Sequence, residues 1–275
     1  MVNPINTQLV GFCVSTLLAS PSSSFPSSNF SFADDSLLAR ALTPMTWWLA
    51  SLPHQQQAFE DNGWTWDGLI HRSTTITLTD SCKPSFSLQR SERAGWEIFT
   101  HRYCTPVDTE RNVSITDLYA RAQSWQGMTQ ICDEAAPKIN PGHEKTQTPE
   151  MVADDANHGD QAASQYIATL TPSLLAQWSE LSGDRNSIHR DPDAACVYLP
   201  GREGALVAHG SLLATLALAK DAQHAGHATS WRMTYLSMVP VSSSGATVGF
   251  LCSDKGATLI HNQHPVLRVT YRHTE

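Results

Sequence analysis

The sequence predicts an α+β fold built from two successive units, each a long helix followed by an antiparallel sheet. Three observations carry this. Two stretches read as helices, one from about residue 35 to about 50 and one over 210–222. Each is followed by segments in which apolar and polar residues alternate with period two, the pattern of half-buried strands. Between the units, residues 133–163 contain almost no large apolar side chain and read as a linker or long crossing loop.

The elements follow in order. Leu9–Ala19 is apolar and precedes a Ser/Pro-rich stretch, as in a secretory signal. No Lys or Arg precedes Arg40, however, so the positive leading region of such a signal is missing. The expectation is that Thr7–Leu18 forms the first strand. Residues 20–31 read as an exposed loop. Asp34, Asp35 and Ser36 then offer capping groups and first-turn acids for a helix to about residue 50, which Pro44 is expected to divide. From Leu69, the residues Ile70, Arg72, Thr74, Ile76 and Leu78 alternate with their neighbours. Phe86–Arg90, Gly95–Cys104 and Ile115–Ile131 continue the sheet. The second unit offers a strand at Tyr166–Leu170, the apolar helix 210–222, and strands near 230–241, 245–253, 257–262 and 265–273. A sheet wrapped around a central helix is a hotdog, and two of them in one chain make a double hotdog.

Composition narrows the function. At 275 residues the chain can bury a large core, and 41% apolar with 16% charged residues describes a soluble globular protein. A net charge of −8 without any Lys/Arg cluster argues against nucleic acid as a partner. No apolar run approaches the ~20 residues of a membrane span. The six cysteines are scattered without a Cys-x-x-Cys, which removes zinc-ribbon and thioredoxin-like readings. Cys82 and Cys104 can pair across strands. Separate, partly buried thiols in a reducing compartment are the expectation, cytoplasmic or, for a eukaryotic source, the mitochondrial matrix.

The most informative stretch is Leu181-Ser-Gly-Asp-Arg-Asn-Ser-Ile-His-Arg-Asp-Pro-Asp-Ala-Ala195. Asp184, Asn186 and His189 lie in a Gly-flanked, non-periodic run that closes with Asp-Pro, which is turn chemistry. An acid and an imidazole on one turn can face the same small volume and together activate a water molecule. Downstream, an apolar helix opens at His209-Gly210. Backbone N–H groups at a helix start are unpaired and partly positive, and Gly210 leaves no Cβ in the way of an approaching oxygen. His224/His227 and His261/His264 form His-x-x-His pairs, but neither has a third ligand at metal spacing, so no metal is expected. Trp47, Trp48, Trp64, Trp66 and Trp96 are expected in the core or a pocket wall.

These segments resemble the MaoC-like, (R)-specific enoyl-CoA hydratase family, whose signature is Ser-Gly-Asp-x-Asn-Pro-x-His followed by an apolar helix entered through His-Gly. Ser182, Gly183, Asp184, Asn186, His189, His209 and Gly210 match it, while Ser187 stands where the family has proline. The resemblance covers roughly residues 164–275. Leu42-Thr-Pro-Met-Thr-Trp-Trp-Leu-Ala-Ser-Leu-Pro53 is loosely similar to the Pro-Pro-x-Trp-x-Trp segment of mitochondrial 3-hydroxyacyl-thioester dehydratases and mesaconyl-C4-CoA hydratases, which are double hotdogs. The resemblance implies a degenerate N-terminal hotdog over 1–132, a linker over 133–163 and a catalytic hotdog over 164–275. It implies hydration of a trans-2-enoyl thioester, or dehydration of an (R)-3-hydroxyacyl thioester, with no cofactor. The catalytic residues implied are Asp184 and His189 as acid and base, Asn186 orienting them through its amide, and Gly210 polarising the thioester carbonyl. His209, Ser211 and Arg232 are implied at the substrate. The partner is an acyl thioester of coenzyme A or of acyl carrier protein, and a homodimer is compatible with it. Arg185, Arg190 and Arg202 are further candidates for the carrier's phosphates. Two other readings stay open: a hotdog thioesterase and a non-catalytic acyl-thioester-binding subunit.

Lack of apolar anchors has a direct consequence for the linker. Limited proteolysis read by mass spectrometry is expected to cut first within 133–163. First cuts inside 165–222 contradict that boundary.

Overall fold

A computed structural model describes residues 4–18, 35–80, 82–108, 111–122, 165–253 and 256–273. The expected loop at 20–31, the linker 133–163 and the part of the fourth strand beyond 122 lie outside the described residues.

The N-terminal stretch departs from expectation. It is a helix, α1 (Pro4–Leu18), and not a strand. Its buried side chains, Leu9 and Cys13, are four residues apart, which is the repeat of a helix face. Phe12 places its ring 5.2 Å from that of Trp178. The next helix, α2 (Asp35–Asp61), runs unbroken through Pro44 and Pro53 and extends beyond the predicted end. Leu38, Ala41, Leu42, Met45, Leu49, Leu52 and Phe59 are buried at helical spacing. Each proline removes one ladder hydrogen bond, and this continuous apolar face offsets the loss.

Four strands follow: β1 (Ile70–Thr79), β2 (Ser85–Arg93), β3 (Trp96–Pro106) and β4 (Asn112–Ala122). Cys82 and Cys104 are brought together as a disulfide pair with their Cα atoms 6.5 Å apart, so these two are not the separate thiols expected. The second part opens with β5 (Gln165–Leu170) and α3 (Pro172–Ser182). After a 3₁₀ turn at Ser187–His189 come α4 (Pro192–Cys196) and β6 (Leu206–Val207). The apolar helix is α5 (Gly210–Lys220), followed by α6 (Ala222–Ala225). β7 (Ser230–Tyr235), β8 (Pro240–Val241), β9 (Ala246–Ser253), β10 (Gly256–His261) and β11 (His264–Arg272) complete the chain.

Nine strands form one antiparallel sheet in the order β2-β3-β4-β1-β7-β11-β10-β9-β5. The two parts repeat one topology. After α2 the strands lie in the order β1-β4-β3-β2, and after α5 in the order β7-β11-β10-β9. They join edge to edge, β1 to β7, with Ile76 opposite Trp231. In chain order, α1 precedes α2 in the first part as β5 precedes α5 in the second, and β5 adds a strand beside β9. The long helix and antiparallel sheet make this a hotdog-like α+β fold. Every residue of α5 from Ser211 to Ala219 is buried, which is why its sequence shows no polar face. No helix of the described residues is long and apolar enough to cross a membrane.

Candidate active site

A cavity of about 870 Å³ lies where the two parts meet. Asp184, Asn186, His189, Gly210 and Ser211 line it from the second part, and Trp48, Trp66, His71 and Tyr119 from the first. Of the five tryptophans singled out, Trp48, Trp66 and Trp96 reach its wall. Trp47 and Trp64 pack against core clusters.

Local chemistry builds the turn that carries the acid and the imidazole. α3 starts on a Thr171 cap, whose hydroxyl accepts from the Leu174 N–H. It ends at Gly183, held at φ 71°, a left-handed conformation that costs glycine little. The chain then reverses, and the Asp184 Oδ1 accepts from the Asn186 N–H at 3.0 Å. The same oxygen accepts from the Trp66 Nε1–H at 3.0 Å. Two donors on Oδ1 leave Oδ2 facing the His189 Nε2, 3.7 Å away. His189 bonds the Val207 carbonyl through Nδ1 at 2.7 Å. That contact places the ring proton on Nδ1 and leaves Nε2 with a lone pair toward Asp184.

Asn186 does not orient the pair through its amide as expected. Its Oδ1 accepts from the Gly68 N–H at 3.0 Å, and its Nδ2 donates to the Leu69 carbonyl at 2.7 Å. The amide instead satisfies backbone groups of the loop before β1, and only the Asn186 backbone N–H touches Asp184. The Ser187 N–H donates to Asp67 Oδ1 at 2.9 Å, a bond that proline at this position cannot make.

His209 is fully buried beneath His189, with ring centroids 3.7 Å apart and planes at 26°. Its Nε2 meets the Ser179 hydroxyl at 2.9 Å, and it is not among the side chains on the cavity wall. Burial pushes the His209 imidazole well below its usual range, and His189 pushes the same way. Burial also lowers His189, against the pull of Asp184. Asp184, His189 and His209 each hold a donor atom within 4.8 Å of the others. The two imidazoles are stacked face to face, whereas metal ligation needs in-plane lone pairs aimed at one point.

α5 begins after His209, and no side chain caps its first turn. A Cβ added at Gly210 meets the Tyr235 ring at 2.9 Å, so the helix start packs directly on that ring. The Ser211 Oγ accepts from the Trp178 Nε1–H at 3.0 Å, which fixes it on the wall. Arg232 is misplaced by the sequence reading. On β7, Trp231, Met233 and Tyr235 point inward and are buried, so Arg232 takes the outer face and is exposed. Arg185 pairs with Glu60 at 3.6 Å, while Arg72 and Arg202 are the arginines on the cavity wall.

No family model matches the chain, and no curated protein does. Solved structures do. A MaoC-like dehydratase aligns at a TM-score of 0.59 and 15% identity, covering 100% of this chain and 95% of that one. HtdX of Mycobacterium tuberculosis aligns at 0.57 and 15%, covering 88% of this chain and 96% of that one. Full-length peroxisomal multifunctional enzyme type 2 of Drosophila melanogaster aligns at 0.51 and 13%, covering 97% of this chain but 47% of that one.

The two depressed imidazoles set a pH dependence. Below about pH 6.5 the unfolded histidines bind protons that the buried ones refuse. Stability is therefore fully present above that pH and falls as pH drops through it. The melting temperature is expected to decline between pH 7.5 and pH 5, and the decline to be shallower in His209→Asn. An equal slope in that variant removes His209 as a source. In fold, the chain is similar to solved MaoC-like dehydratases.

Proposed function

We propose that this chain is a double-hotdog hydro-lyase that adds water to a trans-2-enoyl thioester or removes it from an (R)-3-hydroxyacyl thioester. In this reading, residues 164–275 form the catalytic hotdog and 1–132 the degenerate one. The observation that carries it is the Asp184 Oδ2 and His189 Nε2 that face each other on the same cavity as the start of α5, which no side chain caps among the described residues.

At 3.7 Å the two atoms are too far apart for a good direct hydrogen bond, and a water oxygen can bond both. Water attacks C3, its proton passes to the pair, and a proton from the pair reaches C2. The pair shares its protons, so the roles belong to both groups together. As the C3–O bond forms, negative charge builds on the thioester oxygen. The Gly210 N–H and the partial positive charge of the helix start stabilise that oxygen. Reversal of the same steps is dehydration. His209 supports the His189 ring from below, and Arg202 offers charge to a phosphate of coenzyme A or of a phosphopantetheine arm.

Asp184→Asn and His189→Ala are each expected to lower kcat by about 10²–10⁴, with the double variant little worse than either. Loss of enoyl absorbance with crotonyl- and longer 2-enoyl-coenzyme A measures this, and chiral analysis should return the (R) product. Near-normal turnover in either single variant sinks the assignment, and an (S) product reverses the substrate's orientation across the pair.

Gly210→Val forces a side chain into the Tyr235 ring and shifts the helix start. Loss of about 10²–10³ in kcat is expected, larger than the change in KM, because the charge exists only in the transition state. An unchanged kcat takes α5 out of the mechanism.

A further inference from the structure

The first part of the chain carries a second carboxylate–imidazole pair, His71 and Asp117, that the steps above do not use. Asp117 is fully buried on β4. Its Oδ1 accepts from Trp48 Nε1 at 3.0 Å, Thr74 Oγ1 at 2.6 Å and His71 Nε2 at 3.1 Å. Its Oδ2 accepts from Gln55 Nε2 at 3.1 Å and meets His101 Nδ1 at 3.3 Å. Burial pushes this carboxyl up, but hydrogen bonds from His101 and His71 overcome that and hold it well below the usual carboxylate range. It is a buried anion.

The pair fixes His71 in one orientation. Its Nε2 lies between Asp117 and the Thr74 hydroxyl, at 3.1 and 2.7 Å. Its ring is flanked by Tyr119 and Tyr235, each with a centroid 4.5 Å away. Nδ1 is the remaining polar atom, and among the described residues it has no protein partner. The ring lines the cavity while its side chain is only 10% exposed. A β-bulge in β1 falls between His71 and Ser73. The intervening Arg72 therefore lines the cavity beside His71, where strict alternation would send it to the other face.

We infer that His71 is a specificity-determining residue of this cavity: its Nε2–H is given to Asp117, and its Nδ1 lone pair accepts a hydrogen bond from a hydroxyl on the acyl group beyond C3. The inference rests on the acyl-thioester reading of the site. A plain alkyl chain laid against this atom strips its water and returns no partner. A hydroxyl in the same place restores the bond. A site built to pair a polar atom discriminates against the analogue lacking it more strongly than an apolar pocket discriminates by size. The preferred acyl group is therefore a hydroxylated one, because an ionised carboxylate has no proton to give to Nδ1.

Calorimetric titration of the full chain tests this with saturated acyl-coenzyme A sets of four to eight carbons, matched in length and ending in methyl, hydroxymethyl or carboxylate. The hydroxymethyl-ended member should bind about 10- to 100-fold tighter than its methyl-ended match at one length. His71→Phe, which keeps a flat ring, should abolish the preference. The carboxylate-ended member, which cannot donate, should gain nothing from His71. Preference confined to the carboxylate, and reduced in Arg72→Gln, assigns recognition to the arginine and overturns the inference. If His71→Phe does not fold, the ¹⁵N resonance of His71 Nδ1 in the unmutated protein decides: it should move with the hydroxymethyl-ended ligand and not with the methyl-ended one. Equal or tighter binding of the methyl-ended ligand at every length, or a preference that survives in His71→Phe, overturns the inference. Saturated ligands need no turnover, so failure here is separate from failure of hydration.

Discussion

The site depends on how the turn after α3 is held against the loop before β1. Trp66, Asp67, Gly68 and Leu69 each bond a residue of 184–187. These bonds cross between the two parts of the chain. The Trp66 bond, together with the Asn186 N–H of the turn itself, holds Asp184 Oδ1, and Oδ2 faces the imidazole. A carboxylate free to rotate on an open turn would spend its charge on solvent. Two donors on one oxygen remove that freedom, which is the preorganisation that the proposed proton transfer requires.

The rest of the architecture keeps this contact in place. The β1–β7 pairing makes one sheet of two, so the loop entering β1 and the turn leaving α3 share a single frame. α5 is buried from Ser211 to Ala219, and its first turn borders the cavity. Its start is pressed on Tyr235, whose ring stacks near His71. The cavity is thus walled by aromatic rings from both parts, and each part adds one carboxylate–imidazole pair. The two pairs are built differently. Asp184 faces its imidazole across a gap of 3.7 Å, while Asp117 meets polar atoms of five side chains and holds them in place.

Much of this was legible in the chain. Alternation marked strands in both parts of the nine-stranded sheet, and the turn chemistry at Gly183 to Asp191 marked the bend that carries Asp184 and His189. Other features misled. Thr7–Leu18 is rich in residues that favour strands, yet it folds as a helix because Leu9 and Cys13 bury one face against its neighbours. Pro44 signals a break, and the buried face of α2 carries the helix through it. Arg232 sits near the right place in sequence, but one step of the strand repeat turns it outward.

Local sequence marked the residues of the proposed chemistry, since helix starts, glycine turns and alternation act over a few residues. Their partners were another matter. His71 and Asp117 are 46 residues apart, Trp66 and Asp184 are separated by 118, and no spacing rule connects them. Asn186 looked like a companion to the acid beside it, and its amide serves a loop over a hundred residues upstream. Hydrogen bonds and stacking between distant segments depend on strand order and register, and only the folded sheet sets those.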